Sequence, residues 1–214
     1  MASIIGTFGN ANIISTPWTS DSAVLSPLSI EFDQNEVVAI NQSPFTAQTQ
    51  TYDWAMSYWR GTVSFPPMYR YSADQINSFI MALRGPINAF YLGDPRSAEP
   101  KGTPSGTPVV NSGGQTGYTV YTNGWTASTG NLLLSGDYIQ IGVRLYRVTD
   151  TVNSDDTGTA AISIWPNLRD QPAANTSVIT SNAQGLFRLS TTSNKTSVNA
   201  KDYGITALSI IEFI

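Results

Sequence analysis

The chain contains no cysteine and no histidine among its 214 residues, and charged side chains make up only 12% of it. About a quarter is usual for a globular protein. Without cysteine the chain can form neither disulfides nor thiolate metal sites. Without histidine it lacks the usual general base of serine hydrolases. We therefore predict that the protein is not an enzyme, has no catalytic residues and needs no cofactor.

Positive charge is scarce as well. Three lysines and eight arginines are scattered along the chain, and the net charge is −4. A nucleic-acid-binding surface needs clustered cations, so we expect no nucleic-acid partner. A preference for arginine over lysine is instead typical of protein–protein contacts. The chain has neither a signal-like N-terminus nor about 18 consecutive apolar residues, which predicts no membrane span and a soluble product made in a cytoplasm.

Short runs of β-branched and aromatic residues, separated by turn-forming residues, dominate the chain and predict β-strands. The runs are 12–18, 24–32, 36–40, 45–65, 88–92, 118–121, 131–135, 138–149, 159–165, 184–189 and 205–214. Asp33-Gln34-Asn35 predicts a turn between the second and third runs, and residues 153–158 predict a hairpin turn.

One segment has the pattern of an amphipathic helix. Apolar residues recur at a period of 3.6 between Ala73 and Leu83. Ser72 is the predicted N-cap, with Gln75 as its capping-box partner, and Gly85-Pro86 predicts the end. We expect this helix near residues 72–84.

Residues 93–117 are rich in Gly, Pro, Ser and Thr and have almost no apolar pattern, which is typical of a long loop or linker. We therefore predict an N-terminal β subdomain with one helix over residues 1–92 and a C-terminal β subdomain over 118–214. The predicted fold class is mainly β, with two subdomains of β-sandwich or small-barrel type.

Acidic residues are the alternative candidates for chemistry. Asp137 and Asp150 flank a predicted hairpin, and Glu31, Asp33 and Glu36 crowd another region. A pair of carboxylates is what a glycoside hydrolase requires. Asp137 follows a glycine and Asp150 ends a strand, however, and aspartate commonly forms turns at such positions. This placement favours structural roles.

Asp150, Asn153, Asp155 and Asp156 resemble part of a calcium-binding loop. The twelve-residue pattern with its terminal glutamate is absent, so a tight turn is the favoured interpretation. We predict no metal site.

Aromatic residues could anchor an interface where they lie outside the core. Trp18, Trp59, Trp125 and Trp165 lie beside Pro, Gly or Arg near predicted strand ends. Core packing is the usual role of such residues, and interface anchoring is the alternative. The residues that we predict to contact partners are Trp59, Arg60, Arg84, Arg144 and Arg147.

Four groups of residues occur in order between positions 54 and 189. They are Trp54-Ala-Met-Ser-Tyr-Trp-Arg-Gly61; Phe79-Ile-Met-Ala-Leu-Arg-Gly-Pro-Ile-Asn-Ala-Phe-Tyr-Leu-Gly-Asp-Pro95; Leu132-Leu-Leu-Ser-Gly-Asp-Tyr-Ile-Gln-Ile-Gly-Val-Arg-Leu-Tyr-Arg-Val148; and Trp165-Pro-Asn-Leu-Arg169 with Gly185-Leu-Phe-Arg-Leu189. Together they resemble tail structural proteins of long-tailed bacteriophages.

The resemblance implies a virion component of the distal tail or baseplate, assembled in the host cytoplasm. A ring of copies, expected to be a hexamer, would connect the tail-tube protein to tail-tip, hub or receptor-binding proteins. The resemblance implies no catalytic residues. A tail-tube or tail-completion subunit is the alternative within this class. A carbohydrate-binding module and a tail-associated glycan hydrolase are the alternatives of other classes.

Overall fold

The computed structural model describes residues 2–18, 26–198, 202–205 and 207–214. These residues form one α-helix, α1 (Arg70–Leu83), one short 3-10 helix (Pro95–Ser97) and fifteen β-strands. The strands are β1 (Ile4–Phe8), β2 (Ala11–Ile14), β3 (Ser29–Gln42), β4 (Thr49–Ser64), β5 (Ala89–Leu92), β6 (Gly106–Val110), β7 (Gly117–Trp125), β8 (Tyr138–Ile141), β9 (Arg144–Val148), β10 (Ala160–Leu168), β11 (Val178–Ile179), β12 (Gly185–Leu189), β13 (Thr196–Val198), β14 (Tyr203–Ile205) and β15 (Leu208–Glu212). The predicted fold class, mainly β with one α-helix, is confirmed.

The chain divides into two compact units. Unit 1 comprises Met1–Asp33, Trp59–Leu92 and Gly185–Ile214, and unit 2 comprises Gln34–Tyr58 and Gly93–Gln184. The chain thus passes from one unit to the other four times. The expected break near residue 93 coincides with one of these crossings.

Two other features of the predicted division differ from the structure. Residues 93–117 contain β6 and belong to unit 2, so they are not a linker. Residues 185–214 belong to unit 1 because β12 and β15 pair with strands of that unit. A change in composition along the chain marks a loop, but only strand pairing decides to which unit a strand belongs.

Unit 1 is built on a sheet with the strand order β1-β2-β5-β12-β15-β4-β3, to which β3 and β4 each contribute one part of their length. The pairing of β2 with β5 is parallel, and β5, β12, β15 and β4 pair antiparallel in succession. β13 and β14 form a separate antiparallel pair. β1 and β3 lie at the two ends of the strand order.

The core of unit 1 is aromatic. Its largest fully buried side chains are Trp59, Phe79, Phe90 and Phe187. Phe79, on the buried face of α1, meets Phe90 edge-on with their ring centroids 5.3 Å apart. Trp18 packs on both of these rings. Each such ring stabilises the fold by about 2 to 3 kcal/mol through burial, so this cluster holds the helix on the sheet.

Helix α1 begins two residues earlier than predicted, and the predicted cap is wrong. Tyr69 is the N-cap residue, no side chain caps the helix, and Ser72 is buried inside it. The backbone of Met68 exchanges two hydrogen bonds with that of Tyr203, at 3.1 and 3.0 Å. This β-bridge holds Met68 in an extended conformation and leaves the helix to begin at Arg70. A capping box can be read from the sequence, whereas a bridge to a residue 135 positions later cannot.

Unit 2 contains a six-stranded barrel-like sheet with the order β11-β8-β9-β10-β7-β6. The two ends of this sheet, at β6 and β11, are joined. Val109 forms a β-bridge with Ser177, and the Val110 N–H donates to the Thr176 carbonyl at 2.9 Å. Buried aliphatic side chains, with Trp125 and Tyr146, fill the core of this unit. Closure leaves the barrel strands few free edges.

The predicted turn at Asp33-Gln34-Asn35 is wrong, because β3 runs through these residues without interruption. Phe32 packs against Trp59, with ring centroids 5.7 Å apart, and Glu36 accepts a hydrogen bond from the indole of Trp165. Contacts on both sides of the tripeptide keep it extended and override its local preference for a turn.

Candidate functional site

The most prominent surface feature is the part of unit 2 formed by Gln34–Tyr58, which we call the hairpin arm. It consists of the second part of β3, a connecting loop and the first part of β4. Ser43 begins the loop: its N–H donates to the Gln48 carbonyl at 2.9 Å, and its carbonyl accepts from the Ala47 N–H at 3.0 Å. The arm therefore ends in a hydrogen-bonded turn and not in a loose loop.

The outer part of the arm is exposed on both of its faces. Every residue from 38 to 55 is exposed except Ser43, which is half-buried. Phe45, in the loop, is 95% exposed. Large apolar side chains are exposed along both strands, namely Val38, Ile40, Tyr52 and Trp54. Exposed apolar side chains gathered in this way are typical of surfaces that contact another molecule.

Two of these aromatic residues form a pair. The rings of Tyr52 and Trp54 lie on one strand, two residues apart, with centroids 4.8 Å apart and planes at 75°. Residues two apart on a strand share a face, which brings the rings together. The edge-to-face contact favours this arrangement of the two rings by about 0.5 to 1.5 kcal/mol, which lowers the entropy cost of ordering them on binding.

The base of the arm is fastened to β10 by a buried polar network. Asn167 accepts hydrogen bonds at its side-chain oxygen from the N–H and the hydroxyl of Ser57, at 3.2 and 2.9 Å. The Asn167 N–H donates back to the Ser57 hydroxyl, and its side-chain amide donates to the Ala55 carbonyl at 2.6 Å. Asn167 lies directly after the cis peptide bond between Trp165 and Pro166. The arm thus projects from a fixed base.

The electrostatic character of the arm is acidic. Glu36 and Asp53 are its only charged residues, and no lysine or arginine precedes Arg60 in the chain. Burial is the largest cause of a raised pKa of the nearby Tyr118 hydroxyl, and the negative charges of Glu36 and Asp53 raise it further. Such a surface repels phosphate groups, so its chemistry suits a protein partner.

The residues predicted to contact partners are divided between the two units. Trp59 is 1% exposed in the core of unit 1. Arg144 is 6% exposed, and its guanidinium lies 2.6 Å from the carboxylate of Asp170. Arg60 and Arg84 are exposed on unit 1, and Arg147 is exposed on unit 2, where it lies over the ring of Tyr138.

The acidic residues that could have carried catalysis take part in local structure. Asp137 is 2% exposed, and its carboxylate accepts hydrogen bonds from three backbone N–H groups, those of Lys101, Gly102 and Leu134, at 2.8 to 3.1 Å. The carboxylate therefore joins the start of the segment before β6 to the turn before β8.

The residues that resemble a calcium loop form a turn. One oxygen of Asp155 accepts from the N–H and the hydroxyl of Thr157 and from the N–H of Thr159. Asn153 accepts from the N–H of Asn131, and Asp150 accepts from the N–H of Thr151. Within the described part of the chain, no three acidic residues lie close enough together to hold a metal ion.

The aromatic residues of the arm were missed as a candidate site in the sequence. Their periodicity, with Trp54, Met56 and Tyr58 on one parity, is that of a strand with a buried face. A usable signal lies just before them, because residues 46–51 alternate Thr, Gln and Ala. Small and polar residues of this kind contribute little to a hydrophobic core. The neighbouring aromatic residues Tyr52 and Trp54 can therefore be expected to lie outside a core.

Helix α1, the only α-helix in the described ranges, falls short of the length and apolar character that a membrane-spanning helix requires. Comparison with known proteins identifies no relative: neither a protein-family model nor a curated protein sequence matches the chain.

Proposed function

We propose that this protein is a non-enzymatic structural subunit of a bacteriophage tail, which self-associates in a ring at the distal tail or baseplate. The observation that carries the proposal is the hairpin arm, whose apolar residues are exposed from 38 to 55. The four segments that resemble phage tail proteins give the proposal its biological setting.

The physical state of the arm supports an assembly role. A two-stranded ribbon that packs against nothing is at best marginally stable in water. A contact of ordinary size uses roughly 20 to 30 residues on each side and buries roughly 800 Å² of each partner. The exposed part of the arm approaches this size by itself. A partner that covers it would both bury its aromatic residues and stabilise its strands.

The chemistry of the other candidates supports the same choice. The carboxylates of Asp137 and Asp155 are already occupied by hydrogen bonds from the protein's own backbone, which suits structural roles better than hydrolysis. A sugar-binding platform uses coplanar aromatic rings, whereas those of Tyr52 and Trp54 lie at 75°. The tail ring would place the subunit between the tail-tube protein and the tail-tip, hub or receptor-binding proteins.

The test has two parts. Purified protein is expected to form a closed oligomer, expected to be a hexamer, when its mass is measured by mass photometry across a range of concentrations. Gold-labelled antibody against the chain is expected to bind at the distal end of the tail of virions produced from the genome that encodes it. A protein that stays monomeric at every concentration and does not label virions would contradict the proposal. Label along the whole tail would favour a tail-tube subunit instead.

A further inference from the structure

Exposed apolar side chains also lie on unit 1, at the two ends of α1, with the exposed polar residues Asp74 and Ser78 between them. Tyr69 and Tyr71 at the start of the helix and Met81 near its end are each at least 75% exposed, and Ile87 follows just beyond. We call these four residues the helix face. Tyr71 and Met81 lie on the side of α1 opposite Ala73, Ile76 and Phe79, which are buried. Aromatic and methionine side chains are enriched in protein interfaces.

The charges beside the helix face are opposite in sign to those of the hairpin arm. Arg70 and Arg84 lie at the two ends of α1, and both are exposed. Asp74 pairs with Arg70 at 3.5 Å, so residues 70–84 carry one net positive charge. The arm carries Glu36 and Asp53 and no cation. Two copies of the arm would repel each other, whereas the arm and the helix face attract.

We propose that the hairpin arm of one copy docks on the helix face of the next copy of this chain. This inference rests on the proposed function, because it assigns the two surfaces that join neighbouring subunits. The two surfaces differ, so the contact is heterologous and generates a ring when its rotation closes. Apolar contact supplies the affinity, and the opposite charges select the partner surface and its orientation.

Charge also distinguishes the helix face from the other exposed apolar edge. Ile4 and Ile5 are exposed on β1, at one end of the strand order in unit 1. β1 carries no charged residue, and Arg188, which lies over the Phe213 ring that meets Phe8, is half-buried, whereas Arg70 and Arg84 beside the helix face are exposed. The helix face therefore offers the arm both apolar contact and exposed positive charge.

A charge exchange between the surfaces is the direct test. Asp53→Arg is expected to weaken self-association by about tenfold or more, because it places like charges together. Arg84→Asp is expected to weaken it to a similar extent, and aspartate tolerates the left-handed backbone of this residue, whose φ is 53°. The double variant is expected to return the dissociation constant to within about threefold of the original, because it restores the attraction. Arg96→Glu, an equal change of charge at an exposed residue of the 3-10 helix, is the matched control and is expected to have no effect.

Site-specific crosslinking identifies the partner surface, and the absence of native cysteine makes it unambiguous. Phe45→Cys and Tyr71→Cys chains, mixed and treated with a bifunctional maleimide, are expected to crosslink to each other, because Tyr71 is about as far along α1 from Arg84 as Phe45 is along the arm from Asp53. Phe45→Cys alone is expected to give no dimer. An oligomer that fails to crosslink in the mixture, or that crosslinks Phe45→Cys to itself or to Ile4→Cys, would overturn this inference and leave the proposed function standing. A chain that never associates would overturn both.

Discussion

At the scale of single residues, one buried carboxylate has a large structural effect. Asp137 is buried and accepts hydrogen bonds from three backbone N–H groups. Hydrogen bonds to a charged acceptor each contribute about 1.5 to 3 kcal/mol, and an unmade buried bond costs a similar amount. One side chain therefore fixes two separate segments of unit 2.

Replacement of Asp137 by alanine is expected to lower the free energy of unfolding by about 3 kcal/mol or more, because three backbone N–H groups lose their hydrogen-bond acceptor. The substitution Asp137→Asn keeps one accepting oxygen and is expected to cost less. Urea denaturation followed by tryptophan fluorescence measures the difference. Asp150→Ala, which removes a single bond to the neighbouring Thr151 N–H, is the control. Equal stability of the Asp137→Ala and Asp150→Ala chains would contradict this account.

The turn at Asp155 is expected to depend on pH. The hydroxyl of Thr157, followed by the N–H of Thr159, lowers the pKa of this carboxyl below its ordinary value. A lowered folded-state pKa means that the turn is stabilised above the ordinary value of 3.8 and loses this stabilisation as the pH falls through the lower, folded-state pKa. The amide resonances of Thr157 and Thr159 are expected to move together in an acid titration followed by NMR. In the Asp155→Asn variant these two resonances should not change with pH. If they still shift in the acid titration, another group causes the effect.

At the scale of elements, the hairpin arm depends on its anchor on β10. The anchor consists of one buried side chain, Asn167, that bonds to both Ser57 and Ala55. Along β4 the residues before Met56 are exposed, and burial begins at Ser57. The network therefore lies where β4 changes from an arm strand into a core strand.

Asn167→Ala is expected to loosen the arm without unfolding the barrel. Loss of the network leaves Ser57 without its buried acceptor, at a cost of about 2 to 3 kcal/mol. Amide hydrogen exchange of residues 53–58 is expected to accelerate by about tenfold or more, while exchange in β7 to β9 is expected to change little. Asn41→Ala, on the exposed part of the arm, is the matched control. Uniform acceleration across unit 2 would show that Asn167 supports the barrel rather than the arm.

Several elements of this fold could be predicted from the sequence. The apolar residues between Ala73 and Leu83 recur at the helical period of 3.6, and these residues lie in α1 as predicted. The hairpin of β8 and β9 likewise lies within the predicted run of residues 138–149. Local periodicity determines these elements, so their prediction needs no knowledge of distant residues.

The hairpin arm could not be predicted in this way. Its strands have the alternation of core strands, and the turn residues in the middle of β3 suggest two short strands instead of one long strand. The continuity of β3 depends on Trp59 and Trp165, which lie far away in the chain. Phe45 and Trp54 are exposed because no other part of the described structure covers them. The sequence does not show this, because a strand has the same period-two pattern whether its apolar face is buried or exposed.

At the scale of the whole molecule, the barrel segment is inserted in the sequence between two segments of unit 1. The segment 93–184, which holds the entire barrel, leaves unit 1 after β5 and returns at β12. Leu92 and Gly185 are paired directly across these two strands. The barrel segment therefore begins and ends at one point of the sheet of unit 1.

A chain in which a two-residue Asn-Gly turn replaces residues 93–184 is expected to keep the sheet of unit 1, since this turn closes an antiparallel pair. Circular dichroism should show β-structure with a cooperative thermal transition. A chain that instead lacks residues 185–214 is a smaller deletion, yet it removes β12 and β15 and is expected to lose the transition. Loss of cooperativity in both chains would mean that unit 1 depends on the barrel for its stability.

The place of β12 and β15 in the strand order also sets the order of events during synthesis. All six barrel strands are made before these two, which lie between β5 and β4 in the sheet. The barrel strands can therefore pair with one another before β12 is made, whereas unit 1 waits for residues 185–214, which take roughly 2 to 6 s to make at ordinary elongation rates. The arm is already made by then, but the sheet that flanks α1 is not complete. The docking that we propose between the arm and the helix face therefore requires a chain in which β12 and β15 have already joined the sheet.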